Sequence, residues 1–440
     1  MSILVNAVMD PRSAVAAQTR KLIDVLSRSH AVEVWSAEGH DHANDLPCEH
    51  REVDPFDPAL PLEARRFTHV IHVMAGSRSH AGVGRIARNV PGIVVLHDVS
   101  LLEPLKEDIR AQGGGTQDLL DTVRFHHGPL TATRLELEYV FPGTGTESPD
   151  LHQSAHALPY FLHAATAVVT HSEWAARRVR DVTAVPVLVA RLPAELYEPP
   201  RGATDTLPPN AAAPVVVPGI VNRHKMVSTA IEGFAESGLA RAGHPLLIMG
   251  PCDARMEANL RLAARRGGVE DALRFACPRR HDEFLAQLTR ALAVVVLREA
   301  NTEAQSAALL SGLLSGRPVI ASDDGSVQDL PDDLLMKVRG TDASLGVARA
   351  LCAVADGSVD VAAMAAAAGR WVRREHTLAG YVAVVEAAMA THERRCVEVG
   401  TTIDIVERLT EAGLVGNVDA VDACADSLDS MERARCHGFP

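Results

Sequence analysis

The order of the apolar segments constrains the fold of this chain more than any other feature. Short, near-continuous runs of Val, Ile and Leu alternate with longer stretches in which apolar residues recur with the period of a helix. Strands of that composition are buried on both faces, and the stretches between them supply the crossover helices of a parallel sheet. The sequence therefore predicts an α/β protein built from doubly wound parallel sheets.

The apolar runs fall into two series separated by a segment without periodicity. The first series occupies 3–9, 31–35, 69–74, 92–98, 166–172 and 185–190. The second occupies 215–220, 245–250, 273–277, 291–297, 317–322 and 334–338. Residues 193–213 are rich in proline and polar residues, which is typical of a linker. We predict an N-terminal domain at 1–192 and a C-terminal domain at 214–371, with a cleft between the carboxyl ends of their strands.

The remainder of the chain is less regular than the two strand series. A helix at 372–392 is expected to close the second domain, and 393–440 carries two weaker amphipathic patterns. Two interpretations of this C-terminal tail stay open. It forms short helices packed on the body of the protein, or it is a partly mobile appendage.

Charge and cysteine usage exclude several classes of function. The net charge is −13 at pH 7 with acidic and basic residues interleaved, which argues against sequence-independent binding to nucleic acid or to an anionic membrane. The seven cysteines are scattered, without a C-x-x-C pair or the spacing of a zinc site. We find no signal-peptide pattern and no uninterrupted run of 18 apolar residues, and so expect a cytoplasmic protein without a transmembrane segment.

One strand of the second series runs into a polar loop, 298-REANTE-303, followed by a helix of small and aliphatic residues. We predict that this helix opens at about Glu303. The backbone N–H groups of Ala304, Gln305 and Ser306 would then point out of the helix start and suit an anion such as a diphosphate. Glu303 would accept hydrogen bonds from sugar hydroxyls. Alternatively, Glu303 is only a favourable acid in a first helical turn.

The stretch from Glu303 through GRPVIASDDG at 316–325 resembles a known family. It is similar to the retaining, two-domain nucleotide-sugar glycosyltransferases of the GT-B fold (glycosyltransferase family 4 type, glycosyl transferases group 1). Members carry an acid at the helix start, a second acid eight residues later, and then G-x-P-V-I-A-S. Here Ser311 occupies the second acidic position, a weaker substitute for the residue that holds the donor ribose in relatives.

The resemblance covers roughly residues 1–390 and implies two Rossmann-like domains facing across a cleft, with a C-terminal helical tail. It also implies a nucleoside diphosphate sugar as co-substrate, a hydroxyl acceptor of unknown identity, and no metal or separate cofactor. The resemblance thus implies transfer of a sugar with retention of anomeric configuration. In that mechanism the leaving diphosphate itself accepts the proton of the acceptor, while domain closure excludes water.

The segment PGIVNRHK at 218–225 resembles the diphosphate-binding part of the family. The resemblance places Gly219 where the backbone passes close to the ligand and Lys225 at the diphosphate. Many relatives carry an arginine directly after the glycine, where this chain has Ile220, so Arg223 or Arg298 is expected to share that role. The implied donor-binding set is Gly219, Arg223, Lys225, Arg298, Glu303, Ala304, Gln305, Ser306 and Ser311.

In the first domain, residues 72–101 resemble a family stretch with a glycine-asparagine-serine loop followed by P-G-x-V-V-L-H-D. Gly76 replaces the asparagine, Ser77 follows it, and His97 and Asp98 end the stretch. The resemblance places these four residues on the acceptor side and gives catalytic roles to His97, Lys225 and Glu303. An imidazole can accept or donate a proton near neutral pH. Alternatively, Asp98 only caps the following helix.

A further strand ends in Thr170, His171 and Ser172. Here we favour a structural role, with Ser172 as a helix cap and Glu173 in the first helical turn.

Two other functions stay open at this point. In the first alternative, the chain is a non-catalytic relative that binds a nucleotide sugar or a partner protein. The departures from the family pattern at Ser311, Ile220 and Gly76 favour this alternative. Or it is a nucleotide-sugar epimerase of the same two-domain architecture, which needs no sugar acceptor.

Overall fold

The computed structural model describes residues 1–10, 13–37, 46–140, 149–200, 212–299, 302–340 and 342–391. Within these ranges the chain forms two separate sheets, one of seven strands and one of six, and every strand pair is parallel. The prediction of two doubly wound α/β units is confirmed. The tail at 393–440 and part of the predicted linker, 201–211, lie outside the described residues.

The first sheet has the strand order β3-β2-β1-β4-β5-β6-β7. Its strands are β1 Ser2–Asn6, β2 Ala31–Ser36, β3 Glu49–Glu52, β4 His69–Met74, β5 Gly92–Leu96, β6 Ala165–Thr170 and β7 Val187–Val189. The helices of this part are α1 Ala14–Leu26, α2 Leu60–Ala64, α3 Ala81–Asn89, α4 Leu102–Ala111, α5 Thr116–His127, α6 Pro129–Val140, α7 Pro149–Ser154, α8 Leu158–Leu162 and α9 Glu173–Arg180. Because the strand order reverses between β1 and β4, right-handed crossovers place helices on both faces.

The second sheet has the order β10-β9-β8-β11-β12-β13. Its strands are β8 Val215–Pro218, β9 Leu246–Met249, β10 Leu273–Ala276, β11 Ala293–Val296, β12 Val319–Ser322 and β13 Met336–Val338. Its helices are α10 Val227–Ser237, α11 Ala254–Arg266, α12 His281–Leu288, α13 Ala307–Leu314, α14 Ala343–Ala355 and α15 Val361–Glu375, followed by α16 at 378–391. None of the helices in the described ranges is long and apolar enough to cross a membrane.

The apolar runs predicted all the strands of the two sheets except β3. Central residues such as Ile71, Ile93 and Val294 have no exposed surface. The sequence of β3, EHRE, is polar, and its two glutamates are exposed. This strand pairs only with β2 at the edge of the sheet, where burial on both faces is not required.

The helix predicted at 372–392 is instead the end of α15 and the separate helix α16. The break falls at His376, which leaves the helical backbone conformation after donating its N–H to Val372. Its ring bonds the carbonyl of Leu192, and its own carbonyl accepts the N–H of Ala194. The chain is therefore fastened to the end of the first domain at this point. Beyond it, α16 packs beside Val25 of α1.

Helix α10, which follows Lys225, packs closely against α14 at Gly233. A Cβ at Gly233 would lie 2.6 Å from the carbonyl oxygen of Ser344 and 2.7 Å from Cβ of Val347, both on α14. At Gly369 of α15, the nearest atom to an added Cβ belongs to the flexible guanidinium of Arg373.

We expect Gly233→Ala to lower the free energy of unfolding by about 2 kcal/mol, because overpacking outweighs the gain of about 1 kcal/mol in helix propensity. Gly369→Ala, the matched control, should be neutral or stabilising. Urea unfolding of both variants measures this, and equal effects in the two would contradict the packing argument.

Candidate active site

The predicted site residues follow strands that are neighbours in the two sheets. In the first domain β5 lies between β4 and β6, so the loops that begin at Gly76, His97 and His171 share one sheet edge. In the second domain β8 and β11 are paired, which places Gly219 near Arg298. Parallel strands thus bring residues from distant positions in the sequence to the cleft edge of each sheet.

Backbone hydrogen bonds join the two edges directly. The N–H of Val99 donates to the carbonyl of Thr302 at 2.7 Å, and the N–H of Ala304 donates to the carbonyl of His97 at 2.8 Å. Asp98 and Glu303 are the paired residues of this antiparallel bridge. The loop after β5 and the loop before α13 therefore act as one element across the domains.

A second contact near the bridge holds α9 to the other domain. Oδ2 of Asp329 accepts the N–H of Trp174 at 2.7 Å, and Oδ1 lies 3.1 Å from the guanidinium of Arg177. An acid at a helix start is favoured by the helix dipole. An apolar cluster is buried between the same elements and consists of Val99, Trp174, Ala175 and Ala304.

Glu303 binds two cations. Its carboxylate lies 2.8 Å from Nζ of Lys225 and 3.3 Å from Nη2 of Arg298. Arg298 is held in place by further bonds from its guanidinium to the carbonyl of Leu297 and the hydroxyl of Ser306. The sequence-predicted lysine, arginine and glutamate therefore meet in one cluster.

The electrostatics of this cluster follow from its burial. Burial disfavours the charged form of Glu303, yet Arg298 and Lys225 hold the pKa of its carboxyl well below the usual range. Burial lowers the pKa of Lys225, and the opposing effect of Glu303 does not fully compensate. Two cations thus share one carboxylate, and an additional anion would be attracted to them.

The helix after the loop begins later than predicted, at Ala307, with Ser306 as its N-cap residue. The prediction that Ala304, Gln305 and Ser306 offer free N–H groups of a helix start is therefore wrong for Ala304. Its N–H is used by His97, because Thr302 to Ala304 pair as an extended segment with the first domain.

The backbone N–H groups that could bind an anion are instead those of the first turn of α13, which begins at Ala307. The first helical N–H to find a partner is that of Leu310, which donates to Ser306, so the preceding N–H groups of α13 have no intrahelical acceptor. Gln305 is engaged through its side chain, whose oxygen accepts the N–H of Leu192 at 2.9 Å. Gln305 thereby anchors the loop to the end of the first domain.

Gly219 lies beside both the lysine and the helix start. It has φ of +109°, and a Cβ added to it would be 3.9 Å from Nζ of Lys225 and from Cβ of Ala308. A ligand can therefore approach this backbone without meeting a side chain. Arg223 begins the short 3-10 turn that ends at Lys225, and Ile220 is 62% exposed.

Ser311 does not present a free hydroxyl donor to the cleft. It is 2% exposed, and its hydroxyl donates to the carbonyl of Ala307 within α13. The hydroxyl that the sequence analysis expected to bind the ribose weakly thus bonds a carbonyl of its own helix instead.

On the acceptor side, Asp98 supports the loop after β4. Its carboxylate accepts the N–H of Gly76 at 2.7 Å, and a Cβ at Gly76 would lie 2.9 Å from the carbonyl of Ser100. A larger residue would not fit here without a shift of that backbone. The alternative role of Asp98 as a helix cap is wrong, because α4 follows Leu101 without a side-chain cap. The hydroxyl of Ser77 bonds His80 at 2.9 Å.

His97 bonds a second buried histidine. Its Nδ1 lies 3.0 Å from Nε2 of His171, whose Nδ1 lies 2.8 Å from the carbonyl of Ala190. Val95 pairs with Val169, so these two histidines, each two residues further on, lie side by side. The sequence analysis assigned His171 only a structural role, although the pairing of β5 with β6 would have indicated the contact. Ser172 is the predicted helix cap and accepts the N–H of Ala175.

Comparison with known proteins defines the fold. No family model and no curated protein matches the chain. Sucrose-phosphate synthase from Thermosynechococcus elongatus is 14% identical with a TM-score of 0.59, over 91% of this chain and 99% of that one. HepE from Anabaena in complex with UDP-glucose is 13% identical with a TM-score of 0.59, over 91% and 100%. WaaG, a glycosyltransferase involved in lipopolysaccharide biosynthesis, is 13% identical with a TM-score of 0.54, over 88% and 98%. The chain has the GT-B fold.

Asp98 should make stability depend on pH. Burial raises its pKa to about 7, Glu303 adds to this, and the Gly76 N–H and Lys225 oppose it. Between about pH 4 and pH 7 the folded chain keeps a proton that the unfolded chain loses, so this carboxyl removes stability as pH rises.

In Asp98→Asn the amide oxygen can still accept the Gly76 N–H, but the titration is gone. We expect the free energy of unfolding of the variant, relative to that of the parent protein, to increase by on the order of 2 kcal/mol from pH 4.5 to pH 8. Denaturant unfolding at both pH values measures the gain, and a stability difference that is independent of pH would contradict it.

Proposed function

We propose that the chain is a glycosyltransferase that moves a sugar from a nucleoside diphosphate donor to a hydroxyl acceptor. The observation that carries this proposal is the convergence of Lys225, Arg298 and the first turn of α13 beside Gly219. Two cations and backbone N–H groups without an intrahelical acceptor suit a diphosphate, and they would stabilise the charge that develops on it as the sugar departs.

Glu303 has two consecutive roles in this proposal. Without a ligand it neutralises Lys225 and Arg298, which would otherwise be buried cations without a counterion. When diphosphate oxygens take over these cations, the carboxylate is released to accept hydrogen bonds from hydroxyls of the transferred sugar. Donor binding is thus an exchange of one anion for another at the same two cations.

The acceptor would approach from the side of His97. The backbone carbonyl of His97 accepts the N–H of Ala304 in the other domain, so the ring of His97 stays close to the Glu303 loop. We propose transfer with retention and without a metal: the leaving diphosphate takes the acceptor proton on the same face of the sugar. The interdomain bridge limits the access of water to this step.

The likeness in fold to HepE, which was solved with UDP-glucose, supports a nucleoside diphosphate hexose as the donor class. Sucrose-phosphate synthase and WaaG share this architecture and support hexosyl transfer as the reaction class.

A second candidate is binding of a nucleotide sugar without transfer, as in a regulatory or partner-binding subunit. The position of Ser311 favours it, because its hydroxyl is bonded inside α13 and the second acid of the resembling family is missing. Under this reading donor binding persists while turnover does not occur with any acceptor.

Calorimetry with UDP, GDP, ADP and dTDP tests the binding step. We expect one of them to bind, and Lys225→Ala to weaken its binding by about 10-fold to 100-fold, as the loss of a charge-assisted hydrogen bond predicts. Glu303→Gln should bind the diphosphate at least as tightly as the parent, because the competing carboxylate is removed. Lys337→Ala is the matched control, since the side chain of Lys337 is also largely buried and lies 4.0 Å from the equally buried carboxylate of Asp323. No binding of any nucleotide, or equal losses in the two lysine variants, would contradict the site.

Turnover distinguishes the two candidates. With the matching nucleotide sugar, we expect slow donor hydrolysis that persists in EDTA, and a loss of at least about 100-fold in Glu303→Gln despite intact binding. Proton NMR of the sugar released or transferred reports the anomeric configuration. Binding without turnover, also in the presence of cell extract as acceptor source, would favour the non-catalytic candidate.

A further inference from the structure

The ring of His97 has a hydrogen-bond partner at one nitrogen and, in the described part of the chain, none at the other. Nδ1 bonds His171, while no residue of the described chain bonds Nε2. Its backbone is held on both sides, since the N–H donates to Met74 and the carbonyl accepts from Ala304. The ring therefore has a defined orientation at the domain interface, and Nε2 is the nitrogen left for a ligand.

The hydrogen-bond chain behind His97 has only one direction when both rings are neutral. The carbonyl of Ala190 can only accept, so Nδ1 of His171 must carry a proton. A neutral His171 then has its lone pair on Nε2 and accepts a hydrogen bond from Nδ1 of His97. His97 consequently carries its proton on Nδ1, and its Nε2 is an acceptor.

Burial keeps both rings neutral. It lowers the pKa of His171 to about 4, against the opposing bond to Ala190. Burial also lowers the pKa of His97 well below its ordinary value, and His171 and His80 act in the same direction. His171 has no exposed surface, and Tyr381 of α16 lies beside it with ring centroids 6.0 Å apart. The position of the ring proton, rather than the charge of the ring, therefore decides whether Nε2 of His97 donates or accepts a hydrogen bond.

On the basis of the proposed function, we propose that His171 is a positioning residue that fixes the proton of His97 on Nδ1. The Nε2 of His97 then faces the cleft as an acceptor only and selects a ligand group that donates, namely a hydroxyl of the transferred sugar or of the acceptor alcohol. Without His171, the proton could move to Nε2, which would then donate to the hydroxyl oxygen and no longer accept the hydroxyl proton.

The tautomer is measured directly on the ligand-free full chain labelled with 15N-histidine, by long-range proton–nitrogen correlation at pH 7.5. His97→Gln identifies the signals of His97. We expect Nδ1 protonated and Nε2 unprotonated in the parent protein, the same in His171→Gln, and a shift of the proton towards Nε2 in His171→Phe. A glutamine amide can donate to Ala190 through its nitrogen and accept from His97 through its oxygen, whereas phenylalanine can do neither.

His72→Phe is the matched control, because His72 is also fully buried and bonds a backbone carbonyl, that of Val90, away from the cleft. It should leave the His97 signals unchanged. A proton on Nε2 of His97 in the parent protein would overturn the proposal even if His171→Phe does not fold. An unchanged tautomer in folded His171→Phe would overturn it as well.

Donor hydrolysis provides the functional arm. We expect kcat to fall by roughly 10-fold or more in His171→Phe and to recover in His171→Gln, with KM nearly unchanged. Equal kcat in His171→Phe and the parent would overturn the functional part of the proposal. The NMR measurement uses no substrate, so its result does not depend on whether the protein transfers a sugar. Failure of the proposed glycosyl transfer would instead be seen in the nucleotide-binding and turnover assays.

Discussion

The pairing of two loops across the domains is the constraint on which the candidate site depends. Two backbone hydrogen bonds join the segment at His97 to the segment at Ala304, and they place Asp98 beside Glu303. Two carboxylates at paired positions disfavour each other's charged form. Arg298 and Lys225 keep the pKa of Glu303 low, whereas burial, with a smaller contribution from Glu303, raises the pKa of Asp98. The backbone contact thus brings together two carboxyl groups whose pKa values differ.

The parts of the fold that depend on local pattern could be predicted from the sequence. Buried parallel strands require continuous apolar runs, so the central strands of both sheets were recognisable, whereas the polar edge strand β3 was not. The helix start at Glu303 was predicted wrongly for a related reason. An acid followed by small residues resembles a first helical turn, but Thr302 to Ala304 pair with residues about two hundred positions earlier, and no local signal reveals that partner.

The same distinction applies to the site residues. Lys225 and Glu303 could be matched to a family pattern, and the structure brings them within 2.8 Å of each other. His171 could not be matched in this way, because its importance lies in the register of β5 against β6 and in the carbonyl of Ala190 behind it. Ser311 shows the converse: its position in the pattern is the familiar one, but its hydroxyl bonds to its own helix.

The exposed Ile220 also has a physical explanation in this arrangement. An arginine at that position in the resembling family would add a cation from the loop after β8, whereas here the second cation is Arg298, from the loop after the neighbouring strand β11. Arg298 is 7% exposed and bonded to Ser306 at the start of α13, so it is oriented before a ligand arrives. A cation fixed in this way loses little conformational entropy on binding a diphosphate. Under the proposed function, Arg298 would therefore supply the charge that the resemblance expects at the position of Ile220.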